Sequence, residues 1–264
     1  MPETITSSSN RKIKLVRALQ TRSRKRHAEA AFVAEGVRLL EEAIAAAWPV
    51  RFVLYDESLS ERGKALIRAF EAQQNIDVAE ITIERMAEIA DTETPQGILA
   101  VLERQPLPLP DKPTFLVIAD QIRDPGNLGT LLRTANAAGV NAVYVTPGTV
   151  DAYAPKVIRS GMGAHFHLPI EEHSGDTLQV LLKDLPIFVA KIEGGTPLWE
   201  ANLHQPCALL IGGEAFGPSS LGKTMAKYSV TIPMPGGAES LNAAVAAGIL
   251  ITEVLRQRYQ SKEE

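Results

Sequence analysis

Hydrophobic and polar positions change period several times along this chain, and the changes mark out its elements. In the first hundred residues, Glu35–Ala47 has helical spacing and Arg51–Tyr55 reads as a strand. Glu61–Gln74 is helical, Val78–Ile81 short and extended, Thr82–Ile89 helical, and Gly97–Leu102 a closing strand. That alternation predicts a small α/β domain. Residues 104–113 then carry four prolines in ten positions, which disfavours helix and central strand alike and reads as a linker. Beyond it the strand candidates are Phe115–Ala119, Ala142–Val145, Phe166–Pro169, Ile187–Ala190, Ala208–Ile211 and Val230–Ile232, with a long helix from about Leu241 to Tyr259. Short apolar strands separated by helices predict a mostly parallel sheet covered on both faces. The expected division is 1–103, a linker at 104–113, and 114–264.

Composition narrows the picture. The chain has 264 residues, 45% of them hydrophobic, enough for two ordinary domains or one large one with a normal core. It holds no run of about 18 apolar residues, and its first ten residues lack the apolar core of a signal peptide, so a cytoplasmic protein is expected. Its one cysteine, Cys207, excludes an internal disulfide and a cysteine-based zinc cluster. His165 and His167 alternate on a segment read as extended and so share a face. No carboxylate or cysteine of ligand spacing accompanies them or His173, and no metal is expected.

The net charge of −4 hides an asymmetry, because eight Lys and Arg lie between Arg11 and Arg26 with no Asp or Glu among them. Such a block can neutralise phosphates even in an acidic protein. Arg11, Lys12, Arg22, Arg24, Lys25 and Arg26 are therefore candidate nucleic-acid contacts. Ile13, Val16 and Leu19 mark a narrow apolar stripe on which the same helix could dock. The bland reading is a solvated basic helix.

Three Gly- and Pro-rich turns carry the candidate chemistry, and each follows an apolar strand. In Asp124-Pro-Gly-Asn-Leu-Gly-Thr-Leu-Leu-Arg133, Asn127 is expected to cap a helix. Leu128, Leu131, Leu132 and Ala135 fall on its apolar face and Arg133 on its polar one. A helix start attracts anions, and Arg133 adds a fork for phosphate. Ile211-Gly-Gly-Glu-Ala-Phe-Gly217 places Glu214 in a bend whose glycines permit close backbone approach. It is neither a P-loop nor a dinucleotide fingerprint. Ile232-Pro-Met-Pro-Gly-Gly-Ala-Glu-Ser-Leu-Asn242 leads into a helix start of small residues. Turns of this kind after parallel strands predict a site at the strands' carboxyl ends.

In this order and spacing the runs resemble the SpoU (TrmH) family of the SPOUT class of RNA 2'-O-ribose methyltransferases. The matching positions are Asn127, Gly129 and Arg133, then Gly212, Glu214 and Gly217, then Ile232-Pro-Met234 with Ser240-Leu-Asn242. The likeness spans about residues 115–258. The region with Phe32-Val-Ala-Glu-Gly36 is similar, less specifically, to the family's substrate-binding domain of ribosomal-protein-L30e-like fold, which favours the ribosomal RNA branch. Gly213 and Ala244 depart from residues the family often has. The resemblance implies a trefoil knot, S-adenosylmethionine bound within it, and a homodimer with the site at its interface. It implies that Gly212, Gly217, Ile232, Met234 and Leu241 hold the cofactor. Glu214, Ser240 and Asn242 would line the site, with Asn127 and Arg133 nearest the RNA. The implied reaction is methylation of a ribose 2'-hydroxyl, with 23S ribosomal RNA as the expected substrate. A transfer RNA enzyme, a non-catalytic RNA-binding protein of the same fold and a nucleotide-dependent oxidoreductase stand as alternatives.

Overall fold

The computed structural model describes residues 4–73, 75–213 and 217–261. Its strands are β1 Ala31–Glu35, β2 Val50–Tyr55, β3 Asp77–Glu80, β4 Ile98–Glu103, β5 Phe115–Asp120, β6 Ala142–Val145, β7 Ile170–Glu172, β8 Ile187–Lys191, β9 Thr196–Pro197, β10 Cys207–Gly212 and β11 Tyr228–Thr231. Its helices are α1 Arg11–Thr21, α2 Ser23–Glu29, α3 Val37–Ala45, α4 Glu61–Glu71, α5 Ile83–Ile89, α6 Pro125–Ala137, α7 Pro155–Gly161, α8 Gly175–Leu181, α9 Ser220–Met225 and α10 Ala243–Gln260. The chain divides into two compact units, Met1–Gln105 with Tyr153–Phe166, and Pro106–Ala152 with His167–Glu264.

The first unit is a four-stranded sheet in the order β1-β4-β2-β3, with β4 antiparallel to β1 and β2, and β3 parallel to β2. The apolar stripe of α1 docks as its spacing predicts. Ile13, Val16 and Leu19 are fully buried against Val33, Phe52, Leu54, Leu99 and Val101. Asn10 caps this helix, accepting from the Lys12 amide at 2.8 Å. Strand β1 escapes the periodic reading because Ala31–Ala34 are buried on both faces and show no alternation. The expected helix at Glu35–Ala47 starts only at Val37, since Glu35 still belongs to β1 and Gly36 turns the chain at φ +101°.

The segment Tyr153–Phe166 belongs to this first unit although it lies beyond the proline-rich run, a difference from the contiguous division expected. Aromatic packing explains it. The Tyr153 ring lies 5.2 Å from Phe32 and under the Arg104 guanidinium, and the Phe166 ring lies 5.2 Å from Trp48. The strand expected at Phe166–Pro169 is therefore displaced. Ala164–Phe166 forms one 3-10 turn, and the strand comes later, at Ile170–Glu172. His165 is buried in that turn while His167 is exposed, so the two histidines do not share a face.

The second unit carries a seven-stranded sheet in the order β7-β6-β5-β10-β8-β11-β9, parallel at every pairing and flanked by helices. From β5 the chain moves outward through β6 to β7. It returns on the other side with β8, and β10 then fills the position between β5 and β8. Strands β5 and β10 are apolar and almost wholly buried, as a central parallel strand must be. The carboxyl ends of β5, β8, β10 and β11 consequently emerge on one edge around the switch in strand order.

Truncating Tyr153 to alanine should cost the first unit about 3–5 kcal/mol, the range for large buried aromatic rings. Urea unfolding followed by Trp48 fluorescence in a Trp199→Phe background measures this. An unchanged midpoint would show that the segment is no part of that core.

Candidate active site

Helix α6 starts three residues earlier than its sequence suggests. Asp124, not Asn127, is the N-cap, and its carboxylate accepts the Asn127 amide N–H at 2.8 Å, with Pro125 opening the first turn. Asn127 is thereby released from capping. Its side-chain oxygen accepts instead from Asn242 Nδ2 at 2.8 Å, across 115 residues of sequence. Asn242 does cap its own helix, α10, with Oδ1 accepting from the amides of Ala244 at 2.9 Å and Val245 at 3.3 Å. That bonding commits the Asn242 oxygen inward and its NH2 toward Asn127, so both amides are oriented by one chain of bonds. The first and third runs thus meet. On the rest of α6, Leu128, Leu131, Leu132 and Ala135 are buried as expected, and Arg133 is exposed.

The described ends of the second run meet. Gly213 and Gly217 bridge to each other, and the Gly217 amide donates to the Gly213 carbonyl at 3.0 Å. A Cβ on Gly212 would lie 2.3 Å from the Pro218 nitrogen, and one on Gly213 would lie 2.2 Å from the Gln121 carbonyl oxygen. These glycines are required because the loop's own backbone and that of Gln121 pack on them. The close approach expected from a ligand is made by the protein itself. Glu214 lies outside the described residues.

A cavity of about 600 Å³ opens beside this loop. Gly212, Gly217, Ile232, Met234, Ser240 and Leu241 line it, which gathers residues from the second and third runs. Leu241 and Ala243, on either side of Asn242, both line it as well, so the Asn127–Asn242 pair lies at its margin. Arg133 is not among the lining residues, and its guanidinium has no hydrogen bond or ion pair among the described residues. Periodicity and motif spacing missed the end of β8, where Lys191 and Glu193 line the same cavity, together with Lys223 on α9 and Glu239. The only available signal for them was the general rule that parallel strands bind ligands at their carboxyl ends.

In the first unit the basic block separates into two groups. Arg11, Arg22 and Arg24 are exposed. Lys12 pairs with Asp77 at 2.6 Å and Lys25 with Glu29 at 2.7 Å. Arg26 is buried and donates to the carbonyls of Leu19 at 2.5 Å and Gln20 at 3.3 Å, where it satisfies the end of α1. It faces no solvent that a phosphate could enter, which corrects its reading as a nucleic-acid contact. Among the described residues no group of three or more His, Cys, Asp or Glu gathers as a metal site, and no helix is long and apolar enough to cross a membrane.

Comparison with known proteins matches these features to a family. Residues 114–252 fit the model of the SpoU rRNA Methylase family, and residues 10–100 fit that of the MRM3-like substrate binding domain. The chain is 32% identical over 249 residues to the 23S rRNA (guanosine(2553)-2'-O)-methyltransferase RlmP of Bacillus subtilis, covering 94% of this chain and 97% of the relative. It is 33% identical over 270 residues to the 23S rRNA (uridine(2479)-2'-O)-methyltransferase of Streptomyces viridochromogenes, covering 97% and 93%. The crystal structure of the SpoU methyltransferase AviRb from Streptomyces viridochromogenes in complex with AdoMet superposes with a TM-score of 0.87 at 30% identity, covering 95% of this chain and 98% of that one. Its fold, its three runs and its relatives together place this chain in the SpoU rRNA methylase family.

Proposed function

We propose that the protein is an S-adenosylmethionine-dependent RNA methyltransferase that modifies a ribose 2'-hydroxyl of 23S ribosomal RNA. The observation that carries this reading is the cavity itself, because one pocket collects the glycine loop, Ile232, Met234, Ser240 and Leu241, with the Asn127–Asn242 pair at its margin. Its volume, about 600 Å³, falls within the range of small-molecule sites. Its walls fit the cofactor. Ile232, Met234 and Leu241 offer apolar surface to a flat base, while the ends of β8, β10 and β11 bring backbone polar groups. Lys191, Glu193, Lys223 and Glu239 stand at the same cavity and match the charged groups of a zwitterionic amino acid.

Bound S-adenosylmethionine would supply an already activated methyl group. What remains for the chain is to hold a ribose oxygen in line and accommodate the proton it loses. A guanidinium stays protonated, so Arg133 is not a general base. It holds the phosphate next to the target ribose and stabilises charge developing on the 2'-oxygen, with the proton passing to phosphate or water. Asn127 and Asn242 orient each other and hence the rim on which the ribose lies. Ser240 lines the cavity and adds a hydroxyl-bearing residue to its wall.

We further propose a homodimer, a trefoil knot and a cytoplasmic site of action. Val245 is 51% and Ile249 38% exposed, one turn apart on α10, and this apolar edge supports a second copy as its cover. In a dimer the exposed Arg133 of one copy could serve the cavity of the other. The insertion of β10 between β5 and β8, with β11 outside β8, supports the knot. The cofactor separates this reading from the oxidoreductase, since S-adenosylmethionine should bind and NAD should not. Methyl transfer to 23S ribosomal RNA but not to transfer RNA separates it from the remaining alternatives.

Arg133→Ala should lower turnover by roughly 100-fold to 1,000-fold, the scale for losing one donor to developing negative charge, and leave cofactor affinity nearly unchanged. Arg133→Lys should recover only part, because a point charge does not copy the fork. Full activity in Arg133→Ala would remove its assigned role.

The exposed basic residues give a second expectation. Replacing Arg11, Arg22 and Arg24 with Gln should weaken RNA binding and reduce its salt slope by roughly 0.7–0.9 for each phosphate no longer neutralised. Cofactor affinity should not move. Equal salt slopes for the variant and the unaltered protein would reduce the block to a solvated helix.

Ile249→Asp tests the dimer, because an unpaired carboxylate in an apolar interface is strongly disfavoured. Sedimentation should show a monomer, and activity should fall with it. An active monomer would end the dimer proposal.

A further inference from the structure

We infer that Asp120 is a positioning residue for the cofactor cavity, holding in place Gly212, Gly217 and Pro218, which form one of its walls; this inference rests on the S-adenosylmethionine reading above. Asp120 is the last residue of β5, is 1% exposed and does not line the cavity. Among the described residues no cation pairs with it. A buried carboxylate is costly unless hydrogen bonds satisfy it, and this one spans two loops. Its Oδ1 accepts from Thr146 Oγ1 at 2.8 Å, after β6, and its Oδ2 accepts the Ser219 amide N–H at 2.7 Å, ninety-nine residues away. Two donors on two oxygens call for a group that only accepts, which a carboxylate is and an amide is not.

The Ser219 bond lies where it controls the loop. Asp120 pairs in register with Gly212, the last residue of β10. From Gly212 the chain leaves, closes on itself at Gly213 and Gly217, and returns over Gly212 so tightly that a Cβ there would touch Gly217 and Pro218. Ser219 is the next residue, and its amide fastens the returning end to Asp120. The adjacent Gln121 braces the outgoing end. Its backbone is left-handed at φ +58°, its amide N–H lies between Thr146 Oγ1 at 3.2 Å and Thr149 Oγ1 at 3.0 Å, and its carbonyl packs on Gly213. Gly222, in α9, comes so close that a Cβ would lie 2.5 Å from Asp120 Oδ2. Gly212, Gly217 and Pro218 are cavity wall, so the carboxylate reaches the cofactor through them. The sheet does not need this clamp, because the β5–β10 ladder is held by buried apolar residues from Phe115 to Ala119.

The test uses full-length protein, with S-adenosylmethionine binding by calorimetry, fold by circular dichroism and 23S ribosomal RNA affinity measured in parallel. Asp120→Ala should weaken S-adenosylmethionine binding at least about tenfold, the scale of a lost hydrogen bond to a charged group, with the fold and RNA affinity retained. Asp120→Asn should fall between, because its oxygen can serve one donor only. Ser219 has φ −61°, which suits proline, so Ser219→Pro deletes the N–H and sets the ring Cδ where the Asp120 carboxylate was, breaking the clamp from the loop side. It should reproduce Asp120→Ala, while Ser219→Ala, which keeps the N–H, should bind within about twofold of the unaltered protein. A folded Asp120→Ala protein that binds S-adenosylmethionine as the unaltered one does would overturn the inference. So would a Ser219→Pro protein that binds as well as Ser219→Ala, and this serine comparison decides the matter if Asp120→Ala does not fold. Failure of the unaltered protein to bind S-adenosylmethionine would instead overturn the cofactor reading.

Discussion

Strand β10 hydrogen-bonds on both sides at once, to β5 and to β8, and the site depends on that double pairing. A strand so placed is buried on both faces, and Cys207–Ile211 meet the demand with an unbroken apolar run. Because all its neighbours run parallel, the loops leaving β5, β8, β10 and β11 must share one edge. The register does the rest. It sets Gly212 beside Asp120, so the loop after β10 starts against the end of β5 and not in open solvent.

From that register follows a site made chiefly of backbone. Gly212 and Gly213 have no room for a side chain, and Ala243 and Ala246 at the start of α10 add two more small residues to the lining. Such a pocket offers shape and oriented peptide groups more than titratable catalysts. That suits a reaction whose methyl donor arrives activated and whose acceptor must mainly be held in line. The polar side chains that matter here orient one another. Asn242 is fixed by the helix it caps, Asn127 is fixed by Asn242, and the acidic cap Asp124 leaves Asn127 available for that contact.

In the first unit, charge and packing divide one short basic stretch between two tasks. The apolar stripe of α1 and the buried Arg26 build the fold, while Arg11, Arg22 and Arg24 stay in solvent where phosphate can reach them. An arginine whose guanidinium satisfies carbonyl groups at a helix end contributes structure, whatever its neighbours in sequence do. The fold of this unit also takes in Tyr153–Phe166, whose rings fill places beside Phe32 and Trp48.

Local order was legible in the amino-acid sequence. The alternation of apolar strands and helices, the docking stripe of α1 and the cavity positions Gly212, Gly217, Ile232, Met234, Ser240 and Leu241 all follow from spacing or motif, since each depends on neighbours a few positions away. Long-range pairing was not legible. Nothing near Asn127 says that its partner is Asn242, nothing near Asp120 points to Ser219, and the basic composition around Arg26 hides that it turns inward. Strand β1 was missed because its short stretch, Ala31–Glu35, is squeezed between α2 and α3 and shows neither an alternation nor a long apolar run. Phe166 was misplaced because its ring answers to Trp48, not to the period of its own segment. Periodicity records which face of an element meets the core. Which groups meet across that core is decided only when the strands take their order, because the partners then joined lie about a hundred residues apart in the chain.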